Sequence, residues 1–374
     1  MNVAGRGPMP SRTPAVQLLF TEGASGVHAP DTGAEQSPVV DRRGGSGVVD
    51  VRAAPPAAGS TPPSPVAAER GTADRVFLAV TLGAGLATLA LLGLIAVFLV
   101  TQSLPALRAA GSSFLTTFEW DVDGRAFGIA AVLFGTVITA GIAFVLAVPV
   151  AVGTALFIND YAPPRLRGIL VSLVDLLAAV PSLIYGLWGL YFLQPRLNGT
   201  TRWLADHLGF LPIFASNRTP IGASPFVAGV VLAIMIVPIV TSVSREVLRQ
   251  TPVGLREAAL ALGGTRWGMI RQVVLPFGRS GVVGASMLGL GRALGETIAV
   301  ALILGFTFDI GLHVLEPGGS SIAGLIAVKF GEAGELERSA LVAAGLVLFV
   351  LTLLVNMGAR VVVGRTRPLR GMAL

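Results

Sequence analysis

Cysteine is absent from this 374-residue sequence, and histidine is rare. The absence of cysteine excludes disulfides, thiolate nucleophiles and cysteine-ligated metals. The three histidines, His28, His207 and His313, lie far apart in the sequence and give no clustered set of metal ligands. We therefore expect no metal site and no cofactor bound by this chain itself.

Lysine and charged residues in general are also scarce. Lys329 is the one lysine among 27 basic residues, and its neighbours rule out the phosphate-binding loop G-x-x-x-x-G-K-[ST] anywhere in the chain. If ATP drives this protein, another subunit must bind the nucleotide. Only 13% of the residues are charged and 53% are hydrophobic, whereas soluble domains carry about 25% charge. The composition excludes a soluble enzyme and predicts an all-α, polytopic membrane protein.

Residues 1–74 differ in composition from the rest of the chain. They are rich in Gly, Pro, Ala and Ser and show no apolar periodicity, which predicts a disordered tail. The longest apolar cluster in this part, Leu18 to Phe20, is far shorter than the core of a signal peptide. We expect an uncleaved tail.

Six hydrophobic stretches follow, and each reaches the length of about 20 residues that crosses a bilayer. They are Val76–Val100, Gly128–Ile158, Gly168–Gln194, Ser224–Val243, Gly281–Gly305 and Ser339–Ala359. We therefore divide the chain into a cytoplasmic tail (1–74), a first transmembrane helix with the first periplasmic loop (75–127), a transmembrane domain (128–360) and a cytoplasmic C-terminal tail (361–374). Pro149 and Pro181 lie inside predicted spans, where neighbouring helices can satisfy the freed carbonyls.

The basic residues near the ends of the spans predict the orientation. With the N-terminus inside, the inner segments hold about twice as many basic residues as the outer segments. Positive residues concentrate on the cytoplasmic side of membrane proteins. Both termini are therefore predicted to be cytoplasmic.

Three ionisable residues lie inside the predicted spans. Arg292 is 11 residues into the fifth stretch, near its middle, Glu296 follows at i+4 on the same helical face, and Asp175 lies seven residues into the third stretch. Charges inside a bilayer are costly and face a bundle interior or an aqueous path. Arg292 and Glu296 either neutralise one another as a structural pair or line a pathway for an anion, with Glu296 orienting Arg292. We favour the pathway and place Asp175 in it as well.

Glycines surround Arg292. Gly291 and Gly295 form a G-x-x-x-G pair, which predicts close helix packing. The segment is not a dinucleotide-binding fingerprint, because its spacing differs and no strand precedes it.

The longest inner loop, residues 244–280, combines six arginines with a short helix-forming stretch. Residues 257–262 are good helix formers, and Gly263 and Gly264 close the stretch. A short helix with a glycine stop suits docking on a partner. The alternative is an ordinary loop that carries positive-inside arginines.

This loop resembles the EAA loop of binding-protein-dependent ABC importers, E-A-A-x3-G-x9-I-x-L-P, with Val273 in place of the usual isoleucine. The matching residues, which the resemblance assigns to coupling with an ATPase, are Glu257, Ala258, Ala259, Gly263, Leu275 and Pro276. The resemblance implies that Glu257 interacts with the ATPase surface and that Gly263 permits the turn after the helix.

Two further stretches, residues 180–190 and 292–300, resemble the phosphate importer permeases, and residues 296–299 resemble the PstC branch rather than the PstA branch. We expect Gly186 and Gly189 of the first stretch to serve helix packing. Asp175 stands where this family more often has glutamate, which keeps the charge. The resemblance spans about residues 75–365 and leaves the tail unassigned.

The resemblance implies a type I importer transmembrane domain that works by ATP-driven alternating access. Its partners would be a second, homologous permease (PstA-like), a dimeric cytoplasmic ATPase that holds ATP and Mg (PstB-like), and an extracytoplasmic phosphate-binding protein (PstS-like). The chain itself would be a transport subunit in the plasma membrane and not an enzyme. The alternatives are another oxyanion substrate such as sulfate or molybdate, an ATP-independent anion transporter or channel, and a membrane-embedded enzyme.

Overall fold

A computed structural model describes residues 71–121, 126–215, 222–305 and 313–365. The predicted tail, residues 1–74, lies outside the described residues except for its last four. Of the predicted C-terminal tail, residues 366–374 lie outside them.

Helices make up nearly all of the described chain. In order they are α1 (Thr72–Ala110), α2 (Ala130–Leu156), α3 (Pro164–Ala178), α4 (Ser182–Trp188), α5 (Gln194–Leu208), α6 (Pro225–Arg249), α7 (Val253–Ala261), α8 (Arg266–Met269), α9 (Leu275–Leu294), α10 (Ile298–Leu304), α11 (Ile322–Lys329) and α12 (Glu335–Arg365). A 3-10 turn, Gly111–Leu115, follows α1. The prediction of an all-α membrane fold is confirmed.

Three π-helical turns join consecutive helices. They are Phe157–Tyr161 after α2, Gly189–Leu193 between α4 and α5, and Ile270–Val274 between α8 and α9. The turn at 270–274 precedes Pro276, which has no N–H to donate to the carbonyl four residues earlier. A wider turn at this point relieves the conflict between the proline ring and that carbonyl.

Among the described residues, five helical segments are long and apolar enough to cross a membrane. They are Thr72–Leu115, Ala130–Tyr161, Pro225–Arg249, Arg266–Leu294 and Glu335–Val361. A sixth span results if Pro164–Ala178 and Ser182–Leu208, which meet at 90°, are counted together. Six spans were predicted, so the difference concerns their shape and their ends.

The third predicted span, Gly168–Gln194, is wrong as a single straight helix. The helix stops at Ala178 and restarts at Ser182, so Pro181 lies in a break and not inside a continuous helix. Proline disfavours helical geometry in the residue before it, and Pro181 itself has extended backbone with ψ 139°. By contrast, Pro149 lies inside α2 as predicted.

The fifth predicted span, Gly281–Gly305, is wrong at its start and is not continuous. The helical segment begins at Arg266 and ends at Leu294, and α10 is a separate short helix. Arginines near the start lower the local hydropathy without ending the helix, so a search for apolar runs misses this part. The last span is also longer than predicted, since α12 continues past Ala359 to Arg365.

Helices α2, α6 and α9 form the centre of the described chain. Small residues on α2, Ala140, Ala143 and Ala147, are buried against apolar side chains of α6. A second cluster joins the end of α1 to the start of α12, where the Ser339 hydroxyl donates to the carbonyl of Gln102 over 2.7 Å. Small side chains let the backbones of these helices approach closely.

A short hairpin lies between α1 and α2. Strands β1 (Trp120–Asp121) and β2 (Ala126–Phe127) pair antiparallel, with Trp120 opposite Phe127. The indole Nε1 of Trp120 donates to the carboxylate of Glu337 in α12 over 3.0 Å. The hairpin thereby ties the α1–α2 connection to the first turn of α12.

Candidate functional site

Two helix breaks of the described chain, one between α3 and α4 and the other between α9 and α10, lie against each other. A Cβ atom added at Gly186 in α4 would lie 2.8 Å from the Cα of Ala299 in α10, and one at Gly189 would lie 2.6 Å from Val231 in α6. Such distances leave room only for glycine. Both glycines lie at close approaches between helices, and the contact at Gly186 joins α4, after the first break, to α10, after the second.

Tyr185 bridges the first break. Its hydroxyl donates to the carbonyl of Leu177, in the last turn of α3, over 2.8 Å. The end of a helix leaves carbonyls without intrahelical partners, and a side-chain donor can satisfy them. The ring of Tyr185 is buried in the central cluster with Ala293 and Leu294, so this residue fixes the break next to the end of α9.

Arg292 lies in the last turn of α9 and is exposed. Within the described residues it has no hydrogen bond and no ion pair. An exposed guanidinium without a carboxylate partner is suited to attract an anion. Its helical position differs from the prediction: Arg292 is near the end of a long helix, not in its middle.

Glu296 does not pair with Arg292, so the alternative of a structural ion pair between them is not realised in the described chain. The expectation that both lie on one helical face is wrong, because α9 ends at Leu294. Glu296 is buried, with 8% of its surface exposed, and its Oε1 accepts a hydrogen bond from the backbone N–H of Ala299 over 3.3 Å. A carboxylate there satisfies an orphan donor in the first turn of α10.

Asp175, the third predicted charge, is exposed on α3. Its Oδ1 accepts a hydrogen bond from the Ser242 hydroxyl of α6 over 3.1 Å. The structure thus places Asp175 on the helix before the first break and Arg292 on the helix before the second, without a contact between them in the described chain.

The predicted packing role of Gly291 and Gly295 is wrong for contacts inside this chain. No described atom outside the helix lies within 4 Å of a Cβ placed at Gly291, and Gly295 ends α9 instead of continuing it. The helix approach occurs at Gly289, where a Cβ would lie 2.5 Å from Val240 of α6.

Helix α7 is the short helix predicted from the EAA pattern, and its end explains the spacing of that pattern. The N–H of Gly263 donates to the carbonyl of Leu260 over 3.0 Å, and the N–H of Gly264 donates to the carbonyl of Ala259 over 3.2 Å. This pair of bonds is a Schellman cap, which requires a left-handed residue just after the helix. Gly263 has φ +83°, so three residues must separate the second alanine of the pattern from the glycine.

The remaining EAA residues divide between the surface and the interior. Glu257 and Ala258 are exposed, whereas Ala259 and Leu275 pack against a cluster formed by the ends of α2, α6 and α8. Pro276 begins the straight part of α9 after the π turn.

Helix α7 and its surroundings also expose large apolar side chains. Leu262 is 90% exposed, Val253 66% and Trp267 56%. An exposed apolar patch on a helix that carries a glutamate is typical of a protein interface.

One polar contact beneath α7 is not indicated by the sequence. Arg256 of α7 forms an ion pair with Asp160, 96 positions earlier, over 2.7 Å. Neither residue stands out in the sequence, because Asp160 follows the predicted end of a span, where charges are ordinary, and Arg256 is one of six arginines in the inner loop.

The family model described as "Binding-protein-dependent transport system inner membrane component" matches residues 147–368. The matched part contains both helix breaks and α7. It begins inside α2, so α1 and the hairpin precede it.

Curated relatives match a larger part of the chain. The phosphate transport system permease protein PstC 2 of Mycobacterium bovis is 48% identical over 303 residues, which cover 79% of this chain and 93% of the relative. The phosphate transport system permease protein PstC of Haemophilus influenzae is 42% identical over 285 residues, which cover 75% and 90%.

Solved structures support the fold. A bacterial ABC transporter involved in the import of the acidic polysaccharide alginate has a TM-score of 0.52 at 17% identity, with 78% of this chain and 97% of that chain covered. The alginate transporter in complex with a periplasmic protein that carries an alginate pentasaccharide gives 0.51 at 16% identity, with 78% and 96% covered.

Proposed function

The chain belongs to the binding-protein-dependent transport system inner membrane components, and we propose that it is the permease subunit through which inorganic phosphate crosses the membrane. It is a multi-pass membrane protein and a transport subunit, not an enzyme. We assign phosphate as the substrate because this chain is 48% identical to a phosphate permease over 79% of its length. Another oxyanion, such as sulfate or molybdate, is not favoured.

The proposed pathway runs past the end of α9. Arg292 supports it, because an exposed guanidinium compensates part of the hydration that an anion loses in a low-dielectric path. Its lack of a carboxylate partner in the described chain keeps its charge available. Glu296 shapes the path by holding the first turn of α10, and Asp175 adds a negative charge on α3 that disfavours tight anion binding. Weak binding suits a site that must release its ligand.

Helix α7 is the proposed contact with a PstB-like ATPase dimer, which would hold ATP and Mg. Exposed Glu257 offers a charge to that partner, and exposed Leu262 and Trp267 offer apolar area. Closure of the ATPase would move α7 and open the proposed pathway to the outer side of the membrane, as alternating access requires.

Importers of this family pair with a second permease, an ATPase and an extracytoplasmic binding protein. We propose that here these are a PstA-like permease, the PstB-like ATPase and a PstS-like phosphate-binding protein. Both termini would face the cytoplasm of the plasma membrane, as the excess of basic residues near α7 and the ends of α6 and α12 supports.

The test of this pathway is Arg292→Ala in the assembled complex in proteoliposomes. Loss of a charged contact worth about 1.5 to 3 kcal/mol lowers phosphate uptake about 10- to 150-fold while the complex still assembles. Arg279→Ala is the control, because Arg279 is exposed on the same helix near its other end. Normal uptake by Arg292→Ala would remove Arg292 from the pathway.

A further inference from the structure

The π turn that ends α2, residues 157–161, is held by side-chain contacts with three other helical segments. The Asn159 side chain donates to the carbonyl of Arg245 in α6 over 2.8 Å. Arg167 of α3 donates through Nε to the carbonyl of Ile158 over 3.0 Å and through Nη2 to that of Asn159 over 2.7 Å. The carbonyls at the end of α2 are thus fixed to α3, and the turn itself is fixed to α6.

The third segment is α7, through Arg256. Its Nη1 donates to Asp160 Oδ1 over 2.7 Å, and its Nη2 donates to the carbonyl of Leu248, in the last turn of α6, over 2.7 Å. The exposed fractions of the side chains are 4% for Asp160 and 19% for Arg256. Water therefore screens this ion pair little. One guanidinium connects α7 with the ends of both α2 and α6.

The hydrogen-bonding capacity of the ion pair is not fully satisfied within the described chain. Asp160 Oδ2 and Arg256 Nε are buried without a hydrogen-bond partner among the described residues. A buried ion pair recovers its desolvation cost only when its remaining polar atoms are satisfied, and a buried pair is weak evidence for stability. Its geometric effect is clear: it fixes α7 against α2.

One side of α7 faces the bundle and the other side is exposed. Arg256 points into the bundle, whereas the neighbouring residues Leu255 and Glu257 are exposed. Arg256 and Asp160 therefore connect α7, whose other side is exposed, with the end of α2.

We infer that Asp160 and Arg256 are positioning residues that make α7 and the end of α2 move as one body, so that movement of a docked ATPase reaches α2 directly. This inference rests on the proposed function, in which α7 is the ATPase contact. Without the ion pair, α7 keeps the packing of Ala259, the hydrogen bond from Arg256 to Leu248 and its chain connections to α6 and α8, but it loses its direct polar link to the end of α2.

The first experiment measures phosphate transported per ATP hydrolysed in proteoliposomes that hold the full complex with its binding protein, normalised to assembled complex. Asp160→Asn keeps the shape of the side chain and removes its charge; we expect a ratio lower by about 2- to 30-fold with ATP hydrolysis retained. Asp160→Glu, which keeps the charge, stays near the wild-type ratio. A merely structural role would lower assembly and leave the ratio unchanged.

The matched control is Glu246→Gln. Glu246 pairs with Arg249 over 3.6 Å, but both side chains are at least half exposed. We expect this variant to match the wild-type complex. A wild-type ratio in Asp160→Asn would overturn the inference.

The second experiment does not depend on the substrate. Because the chain has no cysteine, spin labels can be placed at Tyr161→Cys and Gly254→Cys, both exposed, at the end of α2 and in α7. We expect the same label distance in the nucleotide-free and ATP-trapped complexes, and a distance that changes between these states when Asp160→Asn is added. A changing distance without Asp160→Asn would contradict the single moving body. If the complex hydrolyses ATP but moves no phosphate, the proposed function fails while this distance still decides the inference.

Discussion

The glycine that caps α7 offers a direct test of the coupling surface. Gly263 has φ +83°, and its N–H and that of Gly264 complete the cap of α7. An added Cβ at Gly263 meets no described atom within 4 Å. Any effect of Gly263→Ala therefore comes from the backbone conformation and not from a collision.

The expected magnitude follows from that conformation. An L-residue with a Cβ pays about 1 to 2 kcal/mol in the left-handed region. If the ATPase binds only the capped form of α7, its affinity for the permease falls by at most about 5- to 30-fold. Gly263→Asn should lie between glycine and alanine, since asparagine tolerates this region better than other residues with a side chain.

The assay is the dissociation constant of the ATPase subunit from the purified permease pair. Gly254→Ala is the matched control, because Gly254 lies in the same helix, has ordinary backbone geometry and also has open space around its Cβ position. We expect Gly254→Ala to bind as the wild type does, or slightly more tightly, because alanine favours helix. Equal affinities for Gly263→Ala and Gly254→Ala would show that the left-handed conformation of Gly263 does not matter for binding of the ATPase.

Two further predictions concern the helix breaks. Gly186→Ala would place a Cβ 2.8 Å from the backbone of Ala299 and should destabilise the purified chain by about 1 to 3 kcal/mol, whereas Gly199→Ala, with open space, should not; equal melting temperatures would contradict the contact. Glu296→Ala removes the acceptor for the Ala299 N–H and should cost about 1 kcal/mol, whereas Glu296→Gln keeps an oxygen there and should melt near the wild type. Equal losses for both Glu296 variants would show that the cap is not the source of the stability.

The sequence carries enough signal to predict five spans and the apolar stretch of the bent helix pair, as well as the short helix α7 and its glycine stop. Length and hydropathy determine the spans, and the EAA spacing reflects the geometry of a Schellman cap ending at Gly263. The breaks are harder to predict. Pro181 was visible in the sequence, but a proline inside an apolar run is compatible with a kink or with a full break, and only the contacts of Tyr185 and Gly186 distinguish the two.

The pair of Asp160 and Arg256 could not be predicted, because residues far apart in sequence meet only after α2, α6 and α7 have packed. The same limit applies to Arg292 and Glu296. Their i+4 spacing indicates one helical face only if the helix continues, and Gly295 ends it. Local spacing does not show where a helix stops inside an apolar run.

Uptake of labelled phosphate into proteoliposomes that hold the assembled complex tests whether this chain takes part in ATP-driven phosphate import. Uptake should require ATP on the ATPase side and the binding protein on the other side, and excess sulfate should not reduce it. Uptake without ATP would make this chain part of an ATP-independent transporter. Competition by sulfate would contradict phosphate as its substrate.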